Sequence, residues 1–441
     1  APASPHPAAE VRALLTFPAT GGTVDVACNP KGASSMVGPL DGFRIIDLTT
    51  MVSGPLGTMI LADQGADVIK VESLSGDHTR HVATRRGDFP ASFLNNNRNK
   101  RSIALNLKTA EGLDVVKRLI EGADVFIQNF RPGAIDRLGL DYETLAAINP
   151  GLVYMSVSGF GFEGPYAKKP VFDPLIQSLS GLTTVQAGAD ELRPRLVRTI
   201  LPDKLTGFAV AQAVSAALLA RSRTGKGQHV KLSMLDAVIA FLWASDMGGH
   251  TFVGEELDTE RAQSFIDLIY ETADGYISVA VVRRKEWEGL SRAVGRPDWL
   301  DDRRFLETPG LERNKDARVE MTQNALRERT TAEWIERLEA EDVPCAPVLT
   351  RRQAIRHPQV VANSIVVETD HPEAGRLRQT RTPAEFSGTP AAHRFGAPAL
   401  GGDTRPVLEE AGYSRQQIDA LIENGIAKEA RLAAHMVEDE A

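Results

Sequence analysis

The feature that most limits what this chain can fold into is an alternation of short apolar runs and helix-length segments that begins at Phe43. Phe43 to Leu48 is a six-residue run with the β-branched pair Ile45-Ile46 at its centre. Ser53-Gly54-Pro55 follows with a helix-start signature, a capping residue and a proline suited to the first turn. That helix runs through Met59, Ile60 and Leu61 to Gly65, and Asp67 to Glu72 is the next strand. The spacing predicts a βαβ unit, in which the strands are parallel. The pattern recurs with a strand at Ser102–Leu107, a helix at Thr109–Glu121 and a strand at Asp124–Asn129. Leu113, Val116 and Ile120 carry that helix's apolar spacing. A short helix at Asp141–Asn149 and a strand at Leu152–Val157 continue it. Alternation of this kind predicts an α/β fold with a parallel sheet covered by helices.

Beyond this region, Pro202 to Arg221 reads as a long apolar helix packed through Phe208, Ala209, Ala213 and Ala216-Ala217. His229–Leu232 reads as a strand and Met234–Trp243 as a helix. Composition shifts near residue 255 toward Arg, Glu and Asp, with short helices expected at Lys285–Val294, Arg313–Arg327 and Thr331–Glu341. The expected organisation is an extension at 1–36, a large domain at 37–235 and a smaller domain at 255–355. A segment at 365–427 returns to the large domain and ends in a helix at Ser414–Ile426, capped by Ser414. The first 35 residues are rich in Ala, Pro and Gly without the charged and apolar blocks of a secretory signal, and Met36 reads as a natural start. The 441 residues suffice for two domains.

The formal net charge of -8 argues against a nucleic-acid partner, whose binding face would be basic. The two cysteines, Cys28 and Cys345, are far apart and fit a reducing, cytoplasmic setting. No apolar run approaches the length of a membrane span, so no membrane association is expected. The nine histidines are scattered, and no metal is expected. Dinucleotide, P-loop and nucleophile-elbow glycine motifs are absent. A basic cluster, Arg98, Lys100, Arg101 and Lys108, followed by Arg131 and Arg137, reads either as a phosphate-holding set or as a solvated loop. Asp203, after Pro202, reads either as a helix cap or as a nucleophile, because a carboxylate is ionised at neutral pH without a helper base. Asp173 in Val-Phe-Asp-Pro admits the same two readings.

These motifs resemble family III coenzyme A transferases, a superfamily shared with α-methylacyl-CoA racemases. The likeness rests on Gly42–Leu48, Gly54-Pro55, Leu61–Glu72, Asn99–Ile103, Leu105–Lys108, Gln128–Gly133, Ser158–Gly161 and Thr224–Gln228, with Leu400–Thr404 and Gly412–Ser414 near the end. It covers about residues 40–427. The resemblance implies a Rossmann-like large domain and a smaller domain, assembled as an interlocked-ring homodimer. It implies coenzyme A as part of an acyl-CoA substrate, small carboxylic acids as the other partners, and no metal. Asp203 falls at the family's catalytic aspartate and Asp173 at a secondary acid. Val52 and Ser53 fall in a loop whose backbone faces the thioester oxygen. Lys108, Leu105, Asn129, Phe130, Ala134, Arg137 and Arg101 fall at coenzyme A-contacting positions. Formyl-CoA transferases carry Gln at the position of Val52, and a four-glycine run expected within 240–275 is missing, so formyl-CoA and oxalate become a less favoured pair. Racemases carry His where Phe172 stands, which weakens a two-base proton shuttle. A racemase and a non-turning CoA-binding paralogue remain the alternatives.

Overall fold

The computed structural model describes residues 38–82, 84–262 and 267–430. The expected extension at 1–36 and Cys28 lie outside the described residues. Six parallel strands form the main sheet: β1 (Arg44–Leu48), β2 (Asp67–Glu72), β3 (Lys100–Leu105), β4 (Val125–Gln128), β5 (Val153–Ser158) and β6 (Gln228–Ser233). Their order across the sheet is β3-β2-β1-β4-β5-β6. This is the Rossmann order, and its direction reverses between β1 and β4, where a crevice opens at the carboxyl ends of the strands. A short strand, β7 (Ala427–Lys428), joins β3 antiparallel with Ala427 opposite Leu105. The chain therefore returns to the large sheet as a strand.

Both faces of the sheet carry buried apolar residues, as a helix-covered parallel sheet requires. Ile46, Leu48, Val71, Ile103 and Leu105 pack one way with Val115, Val116 and Ile120 of the helix Ala110–Glu121. Ile45, Val68, Ile127 and Met155 pack the other way under α1 (Ser53–Asp63) and the long helix Leu201–Thr224. That long helix is apolar enough by composition to cross a membrane. Its buried face is Thr206, Gly207, Val210, Ala211, Val214, Ala217 and Leu218. Phe208 and Ala216 were expected on the packed face and instead point outward, since the helical stripe that meets α1 runs through Gly207 and Val210.

Residues 269–347 build a separate core around Trp287, Trp334, Phe305 and Leu290. A three-stranded antiparallel sheet (Ile269–Glu271, Tyr276–Val279 and Cys345–Pro347) backs it, which the helical pattern had not disclosed. The helices Arg284–Ala293, Lys315–Leu326 and Thr331–Ala340 stand close to where their apolar spacing puts them. The terminal helix is Arg415–Glu423, shorter than expected. Ser414 and Gln417 form its capping box, and Gly425, at φ 67°, turns the chain into β7.

The contact between α1 and the long helix is made possible by glycine. A Cβ added at Gly57 would lie 2.6 Å from Cγ1 of Val210 and 2.9 Å from the carbonyl oxygen of Gly207. Helices this close leave no room for a methyl group. Gly57→Ala is expected to destabilise the fold by about 1–3 kcal/mol, seen as a lower urea midpoint with an unchanged denaturant slope.

Candidate active site

At the carboxyl ends of the central strands lies a cavity of about 590 Å³. Leu48 closes β1 against it, Val71 to Asp77 come from the end of β2 and the segment after it, Leu105 to Lys108 from the end of β3 and the segment after it, and Phe130 and Leu138 follow β4. Its wall is mostly apolar side chain, with Lys108 as an exposed cation at the rim. This is the switch-point crevice that the strand order creates.

The loop from β1 to α1 leads from this cavity to Asp203. Thr50 lines the cavity. Three residues later Ser53 faces the Asp203 carboxylate, its hydroxyl and backbone N–H near enough to favour the ionised acid. Ser53 was expected to cap α1. It is instead the helix's first residue, and the capping position is Val52, without a side-chain hydrogen bond. Removing Ser53 from the capping position frees its hydroxyl for Asp203. Asp203 sits in the first turn of the long helix, whose capping position is Ile200, so it is not itself the cap. Burial pushes its pKa up to about 6, reinforced by the neighbouring Asp173 carboxylate and opposed by the Ser53 hydroxyl and backbone N–H.

Asp173 begins α2 (Asp173–Leu179), is buried, and does not cap its own helix. Its Oδ2 accepts from the backbone N–H of Asp203 at 3.2 Å, so it satisfies an end of the long helix from a distance. Gln177, one turn along α2, donates to Asp173 Oδ1 at 2.6 Å and accepts from the backbone N–H of Val197 at 2.9 Å. It thus ties the segment that leads to Asp203 onto the second acid. Gln177 was not read from the sequence. Its only signal there is the four-residue spacing from Asp173 on one helical face.

The other expected residues divide. Leu105, Lys108 and Phe130 line the cavity. Asn129 lies beside it but spends its side-chain amide on the loop, accepting from Thr50 N at 2.9 Å and donating to Thr50 O at 2.8 Å. Ala134 sits in the turn closed by its N–H to Arg131 O. Arg137 is exposed next to the lining residue Leu138. Arg101 is engaged elsewhere: it bonds Asp67 and Glu410 at the opposite end of β3. Four residues separate it from Leu105 along the strand, roughly 13 Å. Arg98 and Lys100, candidate phosphate ligands by sequence, are buried and paired with Asp63 and Asp47. No group of acidic, His or Cys side chains among the described residues has the arrangement of a metal site.

Comparison with known proteins agrees with this architecture. A family model described as CoA-transferase family III matches residues 40–404. The acetyl-CoA:oxalate CoA-transferase of Acetobacter aceti is 34% identical over 82% of this chain and 93% of its own length. The human succinyl-CoA:glutarate CoA-transferase is 29% identical over 90% of this chain and 92% of its own length. Among solved structures, a CAIB/BAIF family protein from Brucella suis superimposes with a TM-score of 0.75 at 31% identity, covering 85% of this chain and 99% of its own. Asp173 supplies a like charge beside Asp203, so Asp173→Asn is expected to move the Asp203 ionisation midpoint below about 6, read by carboxyl difference infrared titration against the parent.

Proposed function

The chain belongs to CoA-transferase family III, and on that premise we propose that it moves coenzyme A from an acyl-CoA donor to a carboxylic acid through covalent intermediates on Asp203. The observation that carries this reading is the setting of Asp203: half-sheltered in the first turn of the long helix, its N–H bonded to the second acid Asp173, its pKa raised to about 6, and Ser53 facing it from the loop that borders the strand-end cavity. At pH 7 such a carboxylate is about nine-tenths ionised, yet more basic than an ordinary aspartate.

An Asp203 oxygen attacks the donor thioester carbonyl, the C–S bond breaks, and coenzyme A leaves as the thiolate. The thiolate then attacks Cγ of Asp203. The bond between Cγ and the bridging oxygen breaks, the donor acid departs as a carboxylate, and an aspartyl-CoA thioester remains. The acceptor carboxylate attacks Cγ and expels the thiolate, which takes the acceptor acyl group from the new anhydride. Asp203 is restored, and no net proton is consumed. Ser53, with the backbone N–H of Val52 before it, would supply the donors to the oxyanion that forms at each attack. The strand-end cavity with Leu105, Lys108 and Phe130 would hold the nucleotide end of coenzyme A, with Ala134 and Arg137 at the far side. Anchoring that end keeps the thiolate near the anhydride between steps.

The homodimer belongs to the same proposal. Phe172, Ile200 and Phe208, each at least 40% exposed, leave apolar side chains open near the Asp203 end of the long helix. A second copy would bury them and exclude the water that would hydrolyse an anhydride. Light scattering is expected to give twice the chain mass, and a monomer would remove this part.

The chemistry is tested by incubating the protein with acetyl-CoA, succinyl-CoA and longer acyl-CoAs, each with oxalate or glutarate, and quenching with hydroxylamine. Mass analysis is expected to find a hydroxamate on the peptide holding Asp203. Asp203→Ala is expected to lose roughly a thousandfold or more in CoA transfer. Deuterium uptake at the α-carbon without any adduct on Asp203 would favour a racemase instead.

A further inference from the structure

The loop that carries Val52 and Ser53 is held from below by side chains that take no part in the proposed covalent steps. Met51, in its middle, has φ 71°, a left-handed conformation in which the side chain of a non-glycine residue crowds the backbone. Something must hold it there. The backbone N–H of Met51 donates to Oδ1 of Asp77 at 3.2 Å. Asp77 is almost fully buried and lies on the segment after β2. Its two oxygens are fully used: Oδ1 also accepts from Thr79 N and Oγ1, and Oδ2 accepts from Lys70 Nζ at 3.0 Å. Lys70 Nζ in turn donates to the carbonyl oxygen of Thr49 at 2.8 Å. The backbone of Asp77 is itself fixed by its N–H to Glu72 Oε2 at 2.9 Å.

The geometry points to Asp77 as a positioning residue for CoA transfer: through Met51 N–H it locks the strained turn that leads into Val52 and Ser53, the residue that faces Asp203. Asp77 touches neither Asp203 nor Ser53, so it acts through the loop. The inference rests on the reading of Asp203 as the nucleophile. Sequence alone shows Asp77 only as the start of a turn, because its partners Met51 and Lys70 come from two other segments.

Asp77→Asn is the discriminating change. An aspartate accepts on both oxygens, whereas an asparagine turns one acceptor into a donor and faces either Lys70 or Met51 with the wrong polarity. Asp47 and Glu72 still neutralise Lys70, so the buried cation keeps counter-charges and the variant is expected to fold. The test uses the full chain with succinyl-CoA and acetyl-CoA as donors. Expected for Asp77→Asn are a kcat lower by about tenfold to a hundredfold, a KM for the acyl-CoA within about twofold, and faster hydrogen exchange in a peptide covering Thr49–Val52. Glycine at position 51 adopts the left-handed turn without strain, so M51G/D77N is expected to regain most of the lost kcat. A merely structural role for Asp77 would lower the melting temperature without that rescue.

If Asp77→Asn alone fails to fold, M51G/D77N compared with M51G carries the same comparison. A kcat unchanged in Asp77→Asn, or a loss that Met51→Gly leaves untouched, overturns the inference while Asp203→Ala still abolishes transfer. If neither donor is turned over, unchanged exchange at Thr49–Val52 in Asp77→Asn overturns it as well. Transfer that survives Asp203→Ala overturns the underlying reading instead.

Discussion

The structure depends on a set of charges buried beneath the β1–α1 loop. Asp47, Glu72 and Asp77 face Lys70, Arg80 and Lys100, and all six are almost fully inaccessible. An isolated charge at such a depth would cost several kcal/mol, so the set is tolerable only as a closed arrangement. It is closed. Lys100 gives its three hydrogens to Asp47, Asn97 and the Pro55 carbonyl, Arg80 forks onto Glu72, and Lys70 joins Asp77. Burial holds Lys100 down to about 8, still cationic at neutral pH, while Lys100 and Lys70 hold Asp47 down to about 2 against its own burial. Three strands and a turn contribute members, so the strand ends can move relative to each other only by breaking ion pairs.

That rigidity is what the strand order alone would not provide. The β3-β2-β1-β4-β5-β6 arrangement opens a crevice at the strand ends, but the loops bordering it are free to wander unless something holds their backbone. Here the loop after β1 is held residue by residue: Thr49 by Asp47 and Lys70, Thr50 by Asn129, and Met51 by Asp77. The cavity and Asp203 lie on either side of this loop. On the proposed reading, a molecule held at its nucleotide end in the cavity would meet Asp203 across a fixed boundary.

Much of the fold was legible because it is local. The runs at β1, β2 and β4 carry apolar residues at their centres, Ile45-Ile46, Val68-Ile69 and Phe126-Ile127, and the helical spacing of Val116 and Ile120 survives intact in the buried stripe of its helix. The charged residues were not legible on the same terms. Arg98, Lys100 and Arg101 look like a basic surface because their partners Asp63, Asp47 and Asp67 lie 34 to 53 residues away. Sequence displays a charge but not its counter-charge, so a buried pair and an anion site look identical. The same limit applies to Ser53, whose capping signature was sound locally and lost to a tertiary partner. It applies to β7 as well, two residues whose strand character exists only because β3 is beside them. Asp203 and Asp173 could be singled out, but their coupling through a backbone N–H and Gln177 could not.

The electrostatics of Asp203 run opposite to those of the charges beneath the loop, and the contrast is functional. Asp47, Glu72 and Asp77 are held below the usual carboxylate range, since burial is outweighed by cations. Asp203 has no cation among the influences on it. Burial and Asp173 raise it, and only the Ser53 donors pull it back. A carboxylate clamped by lysine would be ionised but inert, its lone pairs committed. One left without a cation keeps them available for attack, and the neutral donors around it lose nothing when it becomes an uncharged anhydride or thioester. The fold thus confines its strong ion pairs to the layer that fixes the loop and leaves the proposed nucleophile with hydrogen bonds alone, an environment that can accommodate a charge that disappears and returns in every turnover.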